Sequence, residues 1–451
     1  MDKEYLIHQK PIKALFIFVL PLIIGNLFQQ FYNMADSVIV GRFVGESALA
    51  AVGASFSLTN VFISIAIGGG VGASVITSRY FGSRDYGRMK QSVYTSLLIF
   101  LLLSLILGGF GLSLSRQILQ LLNTPATILD MATEYLNIYF LGLPFLFIYN
   151  VLSSMFNALG RSRIPLYLLI FSSVFNVVLD IYMVNSLNMG VAGAAWATLI
   201  AQGISAVFSF ILFLKELSTY PSKETDIFNF SELKGIAGIA LPSILQQSTV
   251  SIGMMLVQSV VNSFGVEVLA GYSAASRVES ICIVPMAAMG NAMSTFTAQN
   301  LGAGSSKRVQ KGYMSAIRLV ALFALIICFI LEIFYPAIMA LFLGAEGTVL
   351  ALQTGTGYLR FLGWFFAGIG LKMITDGLLR GAGDMKMFTV ANLANLGLRV
   401  LIAVLLAPRL GVAMVWYAVP IGWLANFAIS YLEYRTGKWK NFGKETVKTA
   451  G

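Results

Sequence analysis

PLIIGNLFQQFYNMADSVIVGR, residues 21–42, is an apolar stretch with a single carboxylate, Asp36, set inside it. A lone acid in hydrocarbon is expensive, so an acid at such a position is a functional suspect by default. A second acid, Asp180, lies in FNVVLDIYMV, residues 175–184, one helical turn after Asn176, so the two side chains project from one helix face. Either Asp36 and Asp180 meet in one site, or each is a separate buried acid satisfied by a backbone or hydroxyl donor. The spacing favours the shared site, and the rest of the chain then reads as the machinery that exposes it to alternate sides of a membrane.

Composition sets the class. With 57% hydrophobic and 11% charged residues and a mean hydropathy of +0.80, the chain cannot present a soluble surface, for which about 25% charged residues is usual. It reads as an all-α polytopic membrane protein. Runs long enough to cross a hydrocarbon core of roughly 30 Å recur about twelve times. Their approximate limits are 12–40, 49–78, 92–114, 131–158, 163–184, 190–215, 235–263, 269–297, 313–334, 352–379, 387–408 and 413–433. The first run reads as a span rather than a cleaved leader, being too long and lacking a small-residue cleavage site.

Basic residues orient the spans. With the N-terminus inside, the inner loops gather Lys10 and Lys13, Arg79 to Lys90, Arg161 and Arg163, Lys215 to Lys234, Lys307 to Lys311, Arg380 and Lys386, and the tail from Arg435 onward. The outer loops hold only Arg42, Arg116 and Arg409. Both termini are therefore expected in the cytoplasm. The net charge of +10 is dispersed along membrane-flanking loops, which gives no reason to invoke nucleic acid. Cys282 and Cys328 fall inside spans, so no extracellular disulfide framework is expected, and the single His8 in the N-terminal tail leaves no histidine metal or catalytic centre.

The chain repeats itself. A shift of 220 residues sets the inner loop RYFGSRDYGRMKQ on QNLGAGSSKRVQKG, Gly82 on Gly302 and Arg88 on Arg308, and a shift of about 223 sets Tyr135-Leu136 on Tyr358-Leu359. Two six-span lobes in the same orientation follow, residues 1–215 and 235–434, joined by a polar cytoplasmic linker, 216–234, and followed by a basic tail, 435–451. Parallel halves of this kind are a transporter signature, with the site in or beside the cleft between them. Ser231 or Asn229 is the expected N-cap after the linker. Pro21 and Pro242 correspond at the start of the two halves, and Pro21, on the helix that carries Asp36, reads as a hinge. Pro144 and Pro285 interrupt spans four and eight. Gly68, Gly69, Gly70 and Gly72 serve either close packing or bending.

At 1.5 Å per residue, Asp180 lies about 25 Å above the inner end of its span, Asp36 about 8 Å below the outer end of the first, and Thr198 about 12 Å below the outer end of the sixth. Asp36, Asn176, Asp180 and Thr198 thus share the outer half of the N-terminal lobe. Two carboxylates, an amide and a hydroxyl make an oxygen-rich site for a proton or a small hard cation such as Na⁺, and repulsion between the acids readies one of them for reversible protonation. The C-terminal half does not repeat the set: Leu256 or Val257 falls opposite Asp36, Arg399 opposite Asn176, Ala403 opposite Asp180 and about Val419 opposite Thr198. Its charges, Arg277, Glu279, Arg360, Lys372, Asp376 and Arg399, read mainly as structural pairs, with Lys372 and Asp376 at i,i+4 able to pair locally. Aromatic and methionine side chains at helical spacing are mostly packing. Tyr32, Tyr139 and Met286 are the candidates for contact with bulky amphipathic cations.

These features together resemble the multidrug and toxic compound extrusion (MATE) transporters over nearly the whole chain. The resemblance is carried by the two-lobe layout, the Pro21 to Asp36 spacing, Gly302-Ala303-Gly304, Leu379-Arg380-Gly381-Ala382-Gly383-Asp384, Arg277-Val278-Glu279, and Asn176 with Asp180. It implies efflux of drug-like, often cationic compounds in exchange for H⁺ or Na⁺, twelve helices in two pseudo-symmetric lobes around a V-shaped cavity, and a cation-coupling role for Asp36, Asn176, Asp180 and Thr198. NorM-like members carry acids on the seventh and tenth spans, whereas here the stretch after Pro242, SILQQSTVSIG, has none, which favours a DinF-like or related branch coupled through the N-lobe. No organic cofactor is called for, and the protein is expected to act as a monomer in the cytoplasmic membrane among its lipids. A lipid or polysaccharide flippase of the same superfamily is the alternative. A membrane-embedded enzyme is disfavoured by the lack of a nucleophile–base or metal motif.

Overall fold

The computed structural model describes residues 4–222, 226–343 and 348–442. Every regular element among them is helical, as expected where no water is at hand to satisfy backbone N–H and C=O groups. A short helix α1 (Tyr5–His8) precedes α2 (Pro11–Phe43), α3 (Glu46–Ser83), α4 (Tyr86–Leu121), α5 (Ala126–Ala158), α6 (Arg163–Asp180) and α7 (Gly190–Ser218). After the linker come α8 (Phe230–Asn262), α9 (Val266–Gly302), α10 (Ser306–Leu343), α11 (Val349–Gly363), α12 (Phe366–Ala382), α13 (Met385–Leu410) and α14 (Ala413–Thr436). Eleven of the described helices are long and apolar enough to span, or twelve spans result if α11 and α12 are taken as one.

The tenth expected span, 352–379, is bent: the two helices meet at 56° around Trp364 and Phe365. The expected interruptions at prolines are corrected. Helix α5 runs through Pro144 and α9 through Pro285 without a break, because neighbouring helices tolerate a missing donor in a span.

The chain forms two compact units, Ile24–Ile244 and Met1–Ile23 with Leu245–Gly451. Their borders fall within α2 and α8 rather than in the linker, two residues after Pro21 and two after Pro242. Each of these helices is therefore counted partly in one unit and partly in the other.

In the first unit α5 packs against α3, α4 and α7, and α6 against α7. The glycines of α3 are resolved as packing positions. A Cβ on Gly68 would stand 2.7 Å from the Cα of Ile244, and one on Gly72 would strike the backbone of Ala240. The two glycines, one turn apart, thus admit the first turns of α8 to backbone contact. Asn229 is the N-cap of α8, its Oδ1 accepting from the backbone N of Ser231 (2.8 Å) and Glu232 (3.3 Å). Tyr80 then donates to Glu232 Oε1 at 2.8 Å.

The second unit is built on α9 against α10, α11 and α12, with α14 beside α12 and α13. A Cβ on Gly377 would collide with the carbonyl of Gly290, so α9 and α12 also touch backbone to backbone. Asn300 and Arg308, the counterparts of Tyr80 and Arg88 at an offset of 220 residues, bind backbone instead: Asn300 Nδ2 donates to the carbonyl of Leu6 (3.2 Å), and Arg308 to the carbonyls of Leu6 (3.1 Å) and Gln9. Trp439 folds back from the expected tail, fully buried, its Nε1 donating to the carbonyl of Tyr434 at 3.0 Å. Residues 443–451 of that tail lie outside the described residues.

Just before α13, Asp384 is buried beside the carboxylate of Glu433. Burial, and then the Glu433 charge, push its carboxyl from 3.8 up to about 6. A folded-state value above the unfolded one means that the stabilisation is complete below the unfolded value and is lost as pH rises through about 6. The melting temperature of the purified protein should accordingly fall between about pH 4 and 7. Asp384→Asn should flatten that fall by on the order of 1–2 kcal/mol. Superimposable profiles for the two proteins would contradict it.

Candidate functional site

Four helices of the unit Ile24–Ile244 converge on the acids. Helix α2 supplies Tyr32 and Asp36, α6 supplies Asn176 and Asp180, α7 supplies Thr198, and α5 supplies Tyr135 and Tyr139. Asp180 is the last residue of α6, where the chain widens into a π-helical stretch, Ile181–Ser186. Such wide turns recur at functional sites because they re-aim one side chain without ending the helix.

Asp180 and Asn176 are buried, while Asp36, Tyr32 and Thr198 are half-buried. In either orientation of its amide, Asn176 reaches Thr198 Oγ1 at 3.3 Å. The orientation that satisfies every neighbour has its nitrogen donating to Asp180 Oδ2 at 2.8 Å and its oxygen accepting from the Thr198 backbone N at 3.1 Å. The hydroxyl of Tyr32 stands near Thr198. The carboxyl groups of Asp36 and Asp180 stand within hydrogen-bonding reach of each other. One oxygen of each, Asp36 Oδ1 and Asp180 Oδ1, is buried with no donor of the protein to satisfy it.

Two ionised carboxylates are acceptors only and cannot bond to each other. A proton held between them satisfies both orphaned oxygens at once, and a small cation would do the same. With its nitrogen on Asp180, Asn176 has no oxygen to turn toward an ion there, and a Na⁺ among Asp36, Asn176, Asp180 and Thr198 would require the amide to rotate and give up its bond to Asp180. Among the described residues no group of three or more His, Cys, Asp or Glu side chains is arranged to hold a metal ion.

Beside the acids is a small crevice of about 10 Å³, lined by Tyr135, Tyr139, Ala195, Thr198, Leu199 and Gln202 among others. Tyr139 donates to the carbonyl of Thr59 at 3.2 Å, which fixes its ring at the wall. Tyr135 packs on the apolar cluster of Val40, Val184 and Val191. The sequence reading missed Tyr135 and Gln202 as site residues. Both were findable, since each lies one helical turn from a residue already named, Tyr135 before Tyr139 and Gln202 after Thr198.

Met286 stands elsewhere, fully buried in the second unit with its sulfur against Gly370, as a core side chain. Asp376 is fully engaged there. It pairs with Lys372 at 3.0 Å and accepts from Asn392 Nδ2 (3.1 Å) and Ser430 Oγ (2.9 Å). Glu279 accepts from the hydroxyl of Tyr358, and Arg360 pairs with Glu332 at 3.6 Å.

A family profile described as MatE matches the chain twice, over residues 21–182 and 242–405. The two matches begin on the corresponding prolines, Pro21 and Pro242. The chain is 31% identical to the probable multidrug resistance protein YpnP of Bacillus subtilis over 430 residues, covering 95% of this chain and 96% of that protein. A solved structure of a MOP superfamily transporter from Pyrococcus furiosus, described as having a binding pocket of reverse polarity, superposes with a TM-score of 0.91 at 25% identity, covering 98% of this chain and 99% of the other. An outward-facing multidrug resistance MATE transporter superposes with a TM-score of 0.89 at 26% identity, over 98% and 99% of the respective chains.

Proposed function

Because the chain belongs to the MatE family, the multidrug and toxic compound extrusion transporters, we propose that it is a secondary active exporter of amphipathic, often cationic drug-like compounds, coupled through Asp36 and Asp180. The observation that carries the reading is the meeting of these two acids, each with a buried oxygen that nothing in the protein satisfies. A ligand shifts a conformational equilibrium only by its differential affinity for the two states. An acid pair that must share a proton in one arrangement of α2, α6 and α7, and need not in another, supplies such a difference.

The coupling ion is H⁺ in this reading, supported by the Asn176 amide committed to Asp180. Coupling through the N-terminal lobe is supported by Asp376, whose Oδ2 is held by Lys372 and Asn392 and whose Oδ1 accepts from Ser430, so that its charge is already compensated. Tyr139 and Tyr32 offer ring faces to a bulky cation at the crevice, worth about 0.5–2 kcal/mol for each well-placed ring. The protein lies in the cytoplasmic membrane with both termini inside, as the distribution of Lys and Arg directs.

The test is transport of ethidium by the purified protein in liposomes, with proton and sodium gradients imposed separately. A proton gradient alone should drive accumulation against the dye gradient, and a sodium gradient at equal pH should not. Accumulation driven only by sodium would overturn the ion assignment, and movement of lipid-linked sugars with no dye transport would favour a flippase.

A further inference from the structure

Near the middle of α13 stands an arginine with no partner. At 1.5 Å per residue, Arg399 is about 21 Å from the Met385 end of the helix and about 17 Å from the Leu410 end. Its Nε is buried without an acceptor, and among the described residues it forms no ion pair and no hydrogen bond. The other buried cations of this unit are served differently. Lys372 has Asp376 at 3.0 Å and Asn392 at 3.1 Å, and Arg380 has Asn291 at 2.8 Å and Ser294 at 3.3 Å.

Glu279 acts on Arg399 only across a gap, its carboxylate being taken by the hydroxyl of Tyr358. That tyrosine is wedged between Tyr272, stacked at 5.5 Å, and Trp416, stacked at 5.6 Å, all three buried, so Glu279 is held away from the guanidinium.

The fold makes room for the arginine. On α14, Gly422 lies where a Cβ would come within 2.7 Å of Arg399 Cγ and would also strike Asn395 Oδ1. Asn395 is one turn before Arg399 on the same face, and its Oδ1 is likewise buried without a partner. The unspent atom of Asn395 is an acceptor and cannot hold the oxygens of an anion; the donors are those of Arg399, permanently charged and still half-exposed, which sits where the repeat puts Asn176 in the other unit. An unpaired guanidinium at this depth is costly, and the planar fork it presents is suited to bidentate capture of a carboxylate or phosphate.

We propose that Arg399 is an anion subsite that takes the acidic group of an amphipathic substrate. The protein then handles zwitterions and acids as well as cations. The binding claim goes beyond the efflux reading and is tested without any gradient, so failure of one leaves the other standing.

The probes are tetramethylrhodamine, with a free carboxylate, and its methyl ester, binding to the full chain in nanodiscs of phosphatidylcholine, read by fluorescence polarisation. Wild-type protein should prefer the acid by about tenfold or more, as expected of hydrogen bonds to a charged group. Arg399→Gln should bring the ratio to about one while leaving ester affinity within about twofold, the ester having no carboxylate for the arginine to hold. If Arg399→Gln does not accumulate, the same ratio is read on Gly422→Ala, which keeps the charge and displaces its stem; a fall supports the subsite and an unchanged ratio overturns it. A wild-type ratio near one, no binding of the acid dye, or equal weakening of both dyes by Arg399→Gln overturns the proposal. Loss of the acid preference on adding phosphatidylglycerol would assign the subsite to a lipid headgroup and overturn its assignment to substrate.

Discussion

Asp36→Asn and Asp180→Asn are each expected to abolish gradient-driven efflux, by about 100-fold or more, while the protein remains in the membrane. Asparagine keeps the shape and loses the exchangeable proton, so the pair can no longer present two states that differ by a bound ion. Moving an equilibrium from one side to the other takes about 5.5 kcal/mol of differential binding. Among the described residues of the unit Ile24–Ile244, no other acid meets a second carboxylate with orphaned buried oxygens on both. Dye exchange at equilibrium, with no gradient imposed, should survive in both variants because the crevice of Tyr135, Tyr139 and Gln202 is untouched. Normal pumping by Asp36→Asn under a proton gradient would show that the coupling group lies elsewhere.

The second large effect concerns stability. Lys372 and Asp376 are both almost fully buried, 3.0 Å apart on one face of α12, with Asn392 bridging them by a bond to each. Removing one member leaves the other as an uncompensated buried charge, a loss of about 3–5 kcal/mol. Asp376→Leu should therefore lower the melting temperature sharply or empty the membrane of protein, and Lys372→Met should do the same. The double variant Lys372→Met/Asp376→Leu removes both charges and should recover most of the stability, together with proton-driven efflux. A double variant that melts like wild type yet has lost efflux would return Asp376 to the coupling machinery. Additive losses would instead rule out a direct pairing.

Most of the span layout was legible because hydropathy over a bilayer's thickness is a coarse signal that tertiary structure cannot reverse. The meeting of Asp36 with Asp180 and Thr198 was legible for a similar reason: in a helix fixed across a layer, residue number converts to depth. The local pair of Lys372 with Asp376 followed from i,i+4 spacing. What failed was bending. The 56° break after Gly363 falls in an apolar run, RFLGWFFAG, with no proline, and periodicity does not record an angle that packing of α11 and α12 on their neighbours imposes. Pro144 and Pro285, which looked like breaks, are bridged by surrounding helices. The π-helical stretch after Asp180 left no compositional mark, and the borders of the compact units inside α2 and α8 were invisible because the sequence on either side is equally apolar.

The grip of Asn300 and Arg308 on the start of the chain falls on the carbonyl oxygens of Leu6 and Gln9, which every residue type possesses. Selection acting through these bonds sees the path of the backbone and not its letters. The stretch between α1 and α2 is thus free to drift in composition among descendants of this protein, while an inserted or deleted residue would move both carbonyls out of register. Variation there should accumulate as substitutions at constant length.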